Sequence, residues 1–126
     1  MGEFVIRKVA TGVKFDLRAG NGEPIATSEV YKTEAACRKG AESVRKNAPK
    51  AKLEDQTTDF SALTCPKFEL YLDRAGAYRF RLRSRNGAII ASSEPYSTKN
   101  MCLEGIESVR KNANSAEISN FSLNKY

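Results

Sequence analysis

Residues Asn21 to Ala51 return 65 positions later, without a gap, as Asn86 to Ala116. Eighteen of these 31 positions are identical, among them Asn-Gly at the start, Ser-Glu-x-Tyr in the middle and Glu-Ser-Val-Arg-Lys-Asn-Ala at the end. A chain of 126 residues is the size of one compact domain, so two half-length copies must share a core rather than build one each. The duplication predicts a pseudo-two-fold molecule with repeats over residues 1–63 and 64–126, in which each position of a site has a twin.

Each copy begins with a strand-like run. Phe4 to Ala10 and Phe68 to Arg74 lead through Gly12 and Gly76 to second runs, Val13 to Ala19 and Tyr78 to Ser84. The offset is 64 before the glycine and 65 after it, and the extra residue falls where hairpin loops tolerate insertion. In the second runs Phe15, Leu17, Phe80 and Leu82 alternate with Lys14, Asp16, Arg79 and Arg81, the pattern of a strand buried on one face. Asn21-Gly22 and Asn86-Gly87 predict type I′ turns, with positive φ at both central residues. Residues 24–28 and 89–93 then supply a third antiparallel strand.

From Thr33 and Thr98, each a suitable N-cap, the apolar period becomes helical. One stripe reads Ala36, Cys37, Gly40, Ala41, Val44 and its copy Met101, Cys102, Gly105, Ile106, Val109. Glu42 and Lys46, like Glu107 and Lys111, have the i,i+4 spacing of a solvated ion pair. A mid-helix glycine costs about 1 kcal/mol against alanine, so its place on both apolar stripes predicts a close approach of helix to sheet. Asn47 and Asn112 are expected as left-handed C-cap residues, with Pro49 preventing continuation of the first helix. Short fourth strands are expected over residues 51–56 and 116–121, and residues 57–66 read as the link between repeats.

The outcome is βββαβ twice, an α+β fold with two helices on one face of an antiparallel sheet. Asn-Gly, Ser-Glu-x-Tyr, the helix glycine and Ser-Val-x-x-Asn-Ala, each present twice, resemble the YegP-like family of small bacterial and archaeal proteins. The resemblance covers nearly the whole chain. It implies tandem β3-α-β units joined in one sheet, with the C-terminal strands exchanged between units, and single-repeat members that form the same object as homodimers.

The chemistry is bounded first by what is missing. The chain has no histidine, which removes the commonest general base, the usual nucleophilic triads and most catalytic zinc sites. Cys37 and Cys102 fall on the apolar helix stripe, where a free cysteine behaves as a small hydrophobe. They have no CxxC spacing, so no metal or redox role is assigned to them. Cys65, in the link, is expected to be exposed. No cofactor is expected.

Two groups of residues remain as candidates. Glu29 with Tyr31, and Glu94 with Tyr96, lie where the third strand passes into the helix. They either bind a ligand in twinned pockets or fix the connection, glutamate holding the loop or capping the helix while tyrosine packs over the core edge. Arg79, Arg81, Arg83 and Arg85 alternate along the second run of the second copy, about 6.6 Å apart, and would all face away from the helices. Such a stripe can meet successive phosphates. The first copy offers only Lys14 and Arg18 around Asp16, and the aromatics of the arginine strand, Tyr78 and Phe80, point the other way, so no base-stacking platform is evident. A solvated charged face, partly paired with neighbouring carboxylates, is the simpler account.

Net charge is +6 at pH 7, with 21 basic and 15 acidic residues, which permits anionic partners without requiring them. No apolar run reaches membrane-spanning length. The N-terminus, MGEFVIRKV, has no signal-peptide pattern, and three cysteines are an odd number for a disulfide framework, so a reducing, cytoplasmic setting is expected; the family resemblance implies a bacterial one. The sequence points to a non-catalytic module that binds a protein or a small ligand, as a monomer with an internal pseudo-dimer. A nucleic-acid-binding protein using Lys14, Arg18, Arg79, Arg81, Arg83 and Arg85 is the alternative. An enzyme using the two Glu-x-Tyr pairs ranks third.

Overall fold

The computed structural model describes residues 2–120. Along them run β1 (Glu3–Val9), β2 (Gly12–Arg18), β3 (Pro24–Thr27), α1 (Glu34–Asn47), β4 (Lys52–Asp55), β5 (Lys67–Leu72), β6 (Tyr78–Arg83), β7 (Ile89–Ser92), α2 (Lys99–Ala113) and β8 (Glu117–Asn120). Both repeats are βββαβ, as the duplication requires. The expected end of the last strand at Phe121 lies outside the described residues.

All eight strands form one sheet, in the order β4-β5-β6-β7-β3-β2-β1-β8. The two meanders are antiparallel and meet at the centre, where Thr27 of β3 faces Ser92 of β7. The fourth strands are exchanged. β4, from the first repeat, pairs with β5 of the second, Leu53 opposite Phe68; β8 returns to β1 of the first, Ile118 opposite Phe4. These two edge pairs are parallel, so the sheet is mixed, antiparallel except where the exchange closes it.

The helices cover one face. Phe4, Ile6, Phe15 and Leu17, with Phe68, Leu70, Phe80 and Leu82, are fully buried beneath Cys37, Ala41 and Val44 of α1 and Cys102, Ile106 and Val109 of α2. Each such large side chain contributes roughly 1.5–3 kcal/mol by leaving water. Phe4 meets Phe15 edge to face at 5.5 Å and Phe68 meets Phe80 likewise at 5.9 Å, the same cross-strand pair in both repeats. Met101, placed on the stripe by its spacing, is instead exposed at the first turn of α2.

The helix starts are as expected. Thr33 Oγ1 accepts from the Ala36 amide and Thr98 Oγ1 from the Met101 amide, both at 3.1 Å. The helix ends differ from expectation. No residue other than glycine has positive φ among the described residues, and the caps are Ala48 and Asn114 in right-handed geometry. Asn47 and Asn112 lie inside the helices, buried, and each donates from Nδ2 to the carbonyl and hydroxyl of the serine four residues earlier, Ser43 or Ser108. A side-chain bond to the preceding turn replaces the left-handed cap.

The hairpin turns also differ from the expected type. The Gly22 amide donates to the Ala19 carbonyl at 2.9 Å and the Gly87 amide to that of Ser84 at 2.8 Å, with positive φ only at the glycines, 89° and 90°. The loop is therefore one residue longer, with glycine in the left-handed position. Asparagine contributes its side chain: Asn21 Oδ1 accepts from the Glu23 amide and Asn86 Oδ1 from the Ala88 amide. These turns project residues 19–21 and 84–86 beside the helix of the opposite repeat, where they border the grooves described next.

Candidate functional site

The two Ser-Glu-x-Tyr segments divide their labour by residue. Ser28, buried, accepts from the Phe15 amide at 2.9 Å and donates to the Glu29 carbonyl at 2.7 Å. Ser93 does the same with Phe80 and Glu94 at 2.9 and 2.8 Å. Tyr31 exchanges backbone hydrogen bonds with Val13, and Tyr96 with Tyr78. Their rings stack on Phe15 and Phe80, at 6.5 Å and 15° and at 6.3 Å and 17°.

The mid-helix glycines receive these tyrosines. A Cβ on Gly40 would lie 2.2 Å from Tyr31 Oη, and one on Gly105 would lie 2.4 Å from Tyr96 Oη. The close approach expected between helix and sheet is thus chiefly an approach to the tyrosine hydroxyl, with the Phe80 ring adding to it at Gly105. Burial pushes both tyrosine hydroxyls above their ordinary pKa.

Glu29 and Glu94 are exposed, and neither carboxylate has a hydrogen bond or ion pair among the described residues. Serine fixes the loop and threonine caps the helix, the two tasks considered for glutamate. Glu94 also borders a small hollow of about 140 Å³ with Arg7, Asp16, Arg18 and Thr27 of the first repeat.

The outer sheet face carries most of the arginine stripe, already engaged. Arg79 Nε donates to Asp73 at 2.7 Å, while Arg81 and Arg83 both donate to Glu69 Oε1, at 2.5 and 2.9 Å. Arg83 also reaches the Gly87 carbonyl at 2.8 Å, and Arg81 lies 4.5 Å over the Tyr71 ring. Glu69 also meets Lys67, which is 2.7 Å from the buried Glu54. Burial pushes the Glu54 carboxyl up, but hydrogen bonds from Lys67, Gln56 and the Leu63 amide outweigh it and hold the group at about 2. Hydrogen bonds from Arg79 and from the Ala77 and Ala75 amides likewise hold Asp73 below the usual carboxylate range.

In the first repeat the corresponding surface has Arg7 bound to Asp16 at 2.7 Å, with Thr27 donating to Asp16 at 2.8 Å. Lys14 and Arg18 are on β2, half-buried. Arg85 does not belong to the stripe. β6 ends at Arg83, and Arg85 sits exposed in the following turn, away from the other three.

Two grooves occupy equivalent places in the pseudo-dimer. One, of about 660 Å³, lies between α2 and the β2–β3 turn, lined by Ala19, Gly20, Asn21, Leu103, Glu104, Glu107, Ser108, Lys111 and Asn112. The other, of about 880 Å³, lies between α1 and the β6–β7 turn. Lys39, Glu42, Ser43, Lys46 and Asn47 line it from the helix, Ser84, Arg85 and Asn86 from the turn, and Lys50, Cys65 and Pro66 from neighbouring loops. Each groove is built by a helix of one repeat and a turn of the other. The salt bridge expected between Glu42 and Lys46 is made to Arg45 instead, at 2.7 Å, and Glu107 pairs with Arg110 at 3.3 Å.

Arg45 and Arg110 are the residues that sequence reasoning passed over. Arg45 Nη2 donates to the Ala116 carbonyl, and Arg110 Nη1 to the Ala51 carbonyl at 2.6 Å and the Ala48 carbonyl at 3.3 Å. Their guanidinium groups lie 5.9 Å over Phe4 and 5.0 Å over Phe68. The available signal was an arginine inside the identical run Glu-Ser-Val-Arg-Lys-Asn-Ala.

Cys37 and Cys102 are fully buried, and burial pushes both thiols up to about 11. Cys65 is partly exposed, and all three are free thiols. Among the described residues no group of three or more acidic or cysteine side chains is placed to hold a metal ion, and no helix is long and apolar enough to cross a membrane.

Comparison with known proteins agrees with this architecture. A family model described as a domain of unknown function, DUF1508, matches residues 10–55 and again 73–119. A UPF0339 protein of Methanosarcina acetivorans is 58% identical over 52 residues, which are 90% of that protein and 41% of this chain. The UPF0339 protein YegP of Shigella flexneri is 35% identical over 105 residues, 83% of each chain. The solution structure of YegP from Escherichia coli, a protein of unknown function, superposes with a TM-score of 0.77 at 32% identity, covering 94% of this chain and 91% of that one. With both repeats matched and the sheet shared, the chain belongs to the YegP-like family of DUF1508 proteins.

Proposed function

We propose that the chain is a non-catalytic binding module whose ligand, a small molecule or a short protein segment, seats in the grooves between each helix and the Asn-Gly turn of the opposite repeat. The observation that carries this reading is the twinning of the grooves at equivalent positions of the pseudo-dimer. Their volumes suit a small ligand. Asn47 and Asn112, which line them, are spent on the helix backbone, and Glu42 and Glu107 on Arg45 and Arg110, whereas Lys39, Lys46, Lys50, Arg85, Glu104 and Lys111 are left to face a ligand.

The outer face offers less to nucleic acid than its arginine count implies, since Arg79, Arg81 and Arg83 already hold carboxylates. Catalysis by the Glu-x-Tyr pairs has weaker support still: each tyrosine is committed to the core edge and each glutamate is exposed. The module works as a monomer, its two-fold axis internal, in the cytoplasm; exchange of β4 and β8 within one chain and three unpaired thiols support this.

Titrating a fragment library into the labelled protein and mapping amide shifts tests the reading. Shifts are expected at Glu42–Asn47 with Ser84–Asn86, or at Glu107–Asn112 with Ala19–Asn21. Shifts confined to the outer sheet face or to residues 28–31 and 93–96 overturn it.

A further inference from the structure

The grooves are twins in position but opposite in charge. The one against α2 has Glu104, Glu107 and Lys111; the one against α1 has Lys39, Glu42, Lys46, Lys50 and Arg85. Three substitutions between equivalent positions account for the contrast: Glu104 becomes Lys39, Gly20 becomes Arg85, and Ser115 becomes Lys50. Lys46 and Lys111 are common to both, where a cation in the last turns complements the helix dipole. The other three cations have no such general explanation.

Their partners sharpen the point. Glu42, the single carboxylate of the basic groove, is taken by Arg45 at 2.7 Å. Lys39, Lys46, Lys50 and Arg85 form no ion pair among the described residues, although most arginines of this chain do. The four reach the groove from three segments: the helix, the loop after it, and the turn of the other repeat. Like charges converging without a counter-ion raise one another's energy, and a bound anion relieves that repulsion. Polar donors stand among them. Ser43 has accepted its bond from Asn47 and keeps its own proton to give.

We infer that the groove between α1 and the β6–β7 turn binds a small phosphorylated ligand carrying two or more negative charges, held by Lys39, Lys46, Lys50 and Arg85. Arg85 supplies the planar fork that grips a phosphate through two hydrogen bonds, and the lysines supply point charges around it. The α2 groove, short of three of these cations, does not share this ligand. The inference rests on the groove reading above and adds the ligand class.

Pyrophosphate is the probe. It is titrated calorimetrically into the wild type and into Lys39→Glu/Lys50→Ser/Arg85→Gly, which gives the basic groove the residues its twin already carries. Thermal unfolding checks that the variant folds; should it not, Arg85→Gln and Lys39→Gln, each at an exposed position, replace it. Expected are binding to the wild type that weakens as salt rises, at least a tenfold loss in the variant, and slower alkylation of Cys65 by N-ethylmaleimide when pyrophosphate is bound. No binding at about 50 mM salt, binding unchanged by the substitutions, or a single-stranded oligonucleotide that binds far more tightly would each overturn the ligand class. Uncharged fragments that shift groove amides while pyrophosphate does nothing would sink this inference alone; absence of groove shifts with either would sink the reading beneath it too.

Discussion

Arg110 of α2 donates to the Ala51 carbonyl at 2.6 Å, just before the chain enters β4 of the other repeat. Arg45 does the same for Ala116 before β8. Each arginine ties its own helix to the point where the partner repeat sends a strand across. The guanidinium lies over a phenylalanine ring, so the ring contact and hydrogen bonding act together.

Arg110→Ala should therefore cost about 2 kcal/mol in urea unfolding, from a lost charge-assisted hydrogen bond and ring contact. Amide exchange should quicken at residues 52–55 more than in β2. Arg110→Lys should recover less than half, because lysine lacks the fork and stacks poorly. Equal exchange rates across the sheet would show that the arginine does not hold the strand.

Gly40→Ala sets helix propensity, a gain of about 1 kcal/mol, against a Cβ 2.2 Å from Tyr31 Oη. The ring is pinned on Phe15 and cannot yield cheaply, so a net loss of about 2 kcal/mol is expected. In a Tyr31→Leu background the same change should be close to neutral. Equal effects in both backgrounds, measured as a double-mutant cycle, would place the obstruction elsewhere.

Acid stability should follow the ion-paired carboxylates. Glu54 is held at about 2 in the folded protein, and Glu69, Asp55 and Asp73 are lowered too. Groups depressed by folding stabilise the native state above their unfolded pKa, so stability should be level above about pH 5 and decline toward pH 2. With no histidine in the chain, little change is expected from pH 5 to 8. Lys67→Met leaves Glu54 and Glu69 without their shared lysine and should cost about 3 kcal/mol at pH 7. The deficit should shrink by pH 3, where the variant's carboxylates take up protons. A deficit independent of pH would point to packing instead.

Thiol reactivity separates the three cysteines. At pH 8 a disulfide reagent should titrate one equivalent, at Cys65, in the native protein and three after unfolding. Burial and a pKa near 11 protect Cys37 and Cys102. Rapid reaction of all three would contradict the helix packing.

The elements were legible because duplicated periodicity reports which face of each strand and helix is buried. Phe15, Leu17 and Val44 appear where period two and the helical stripe put them. Turn and cap chemistry was less legible. Asn21 and Asn47 act through their side chains rather than through a left-handed backbone, and composition alone does not separate the two uses. Site information was the least visible. Lys39 and Arg85 are 46 positions apart in sequence, and only the crossing of one repeat's helix over the other's turn brings them to one groove. Alternation groups Arg85 with Arg83, but the alternation ends where β6 ends.

Exchange of β4 and β8 gives the two halves one fate. Neither can open its outer edge without freeing the strand that the other supplies, so selection on stability acts on both copies at once and keeps their joined surfaces alike. The turns and outward helix positions escape that bond. A duplicated ancestor locked in this way can keep one groove and recast the other, acquiring asymmetry in what it meets while remaining symmetric in what it is made of.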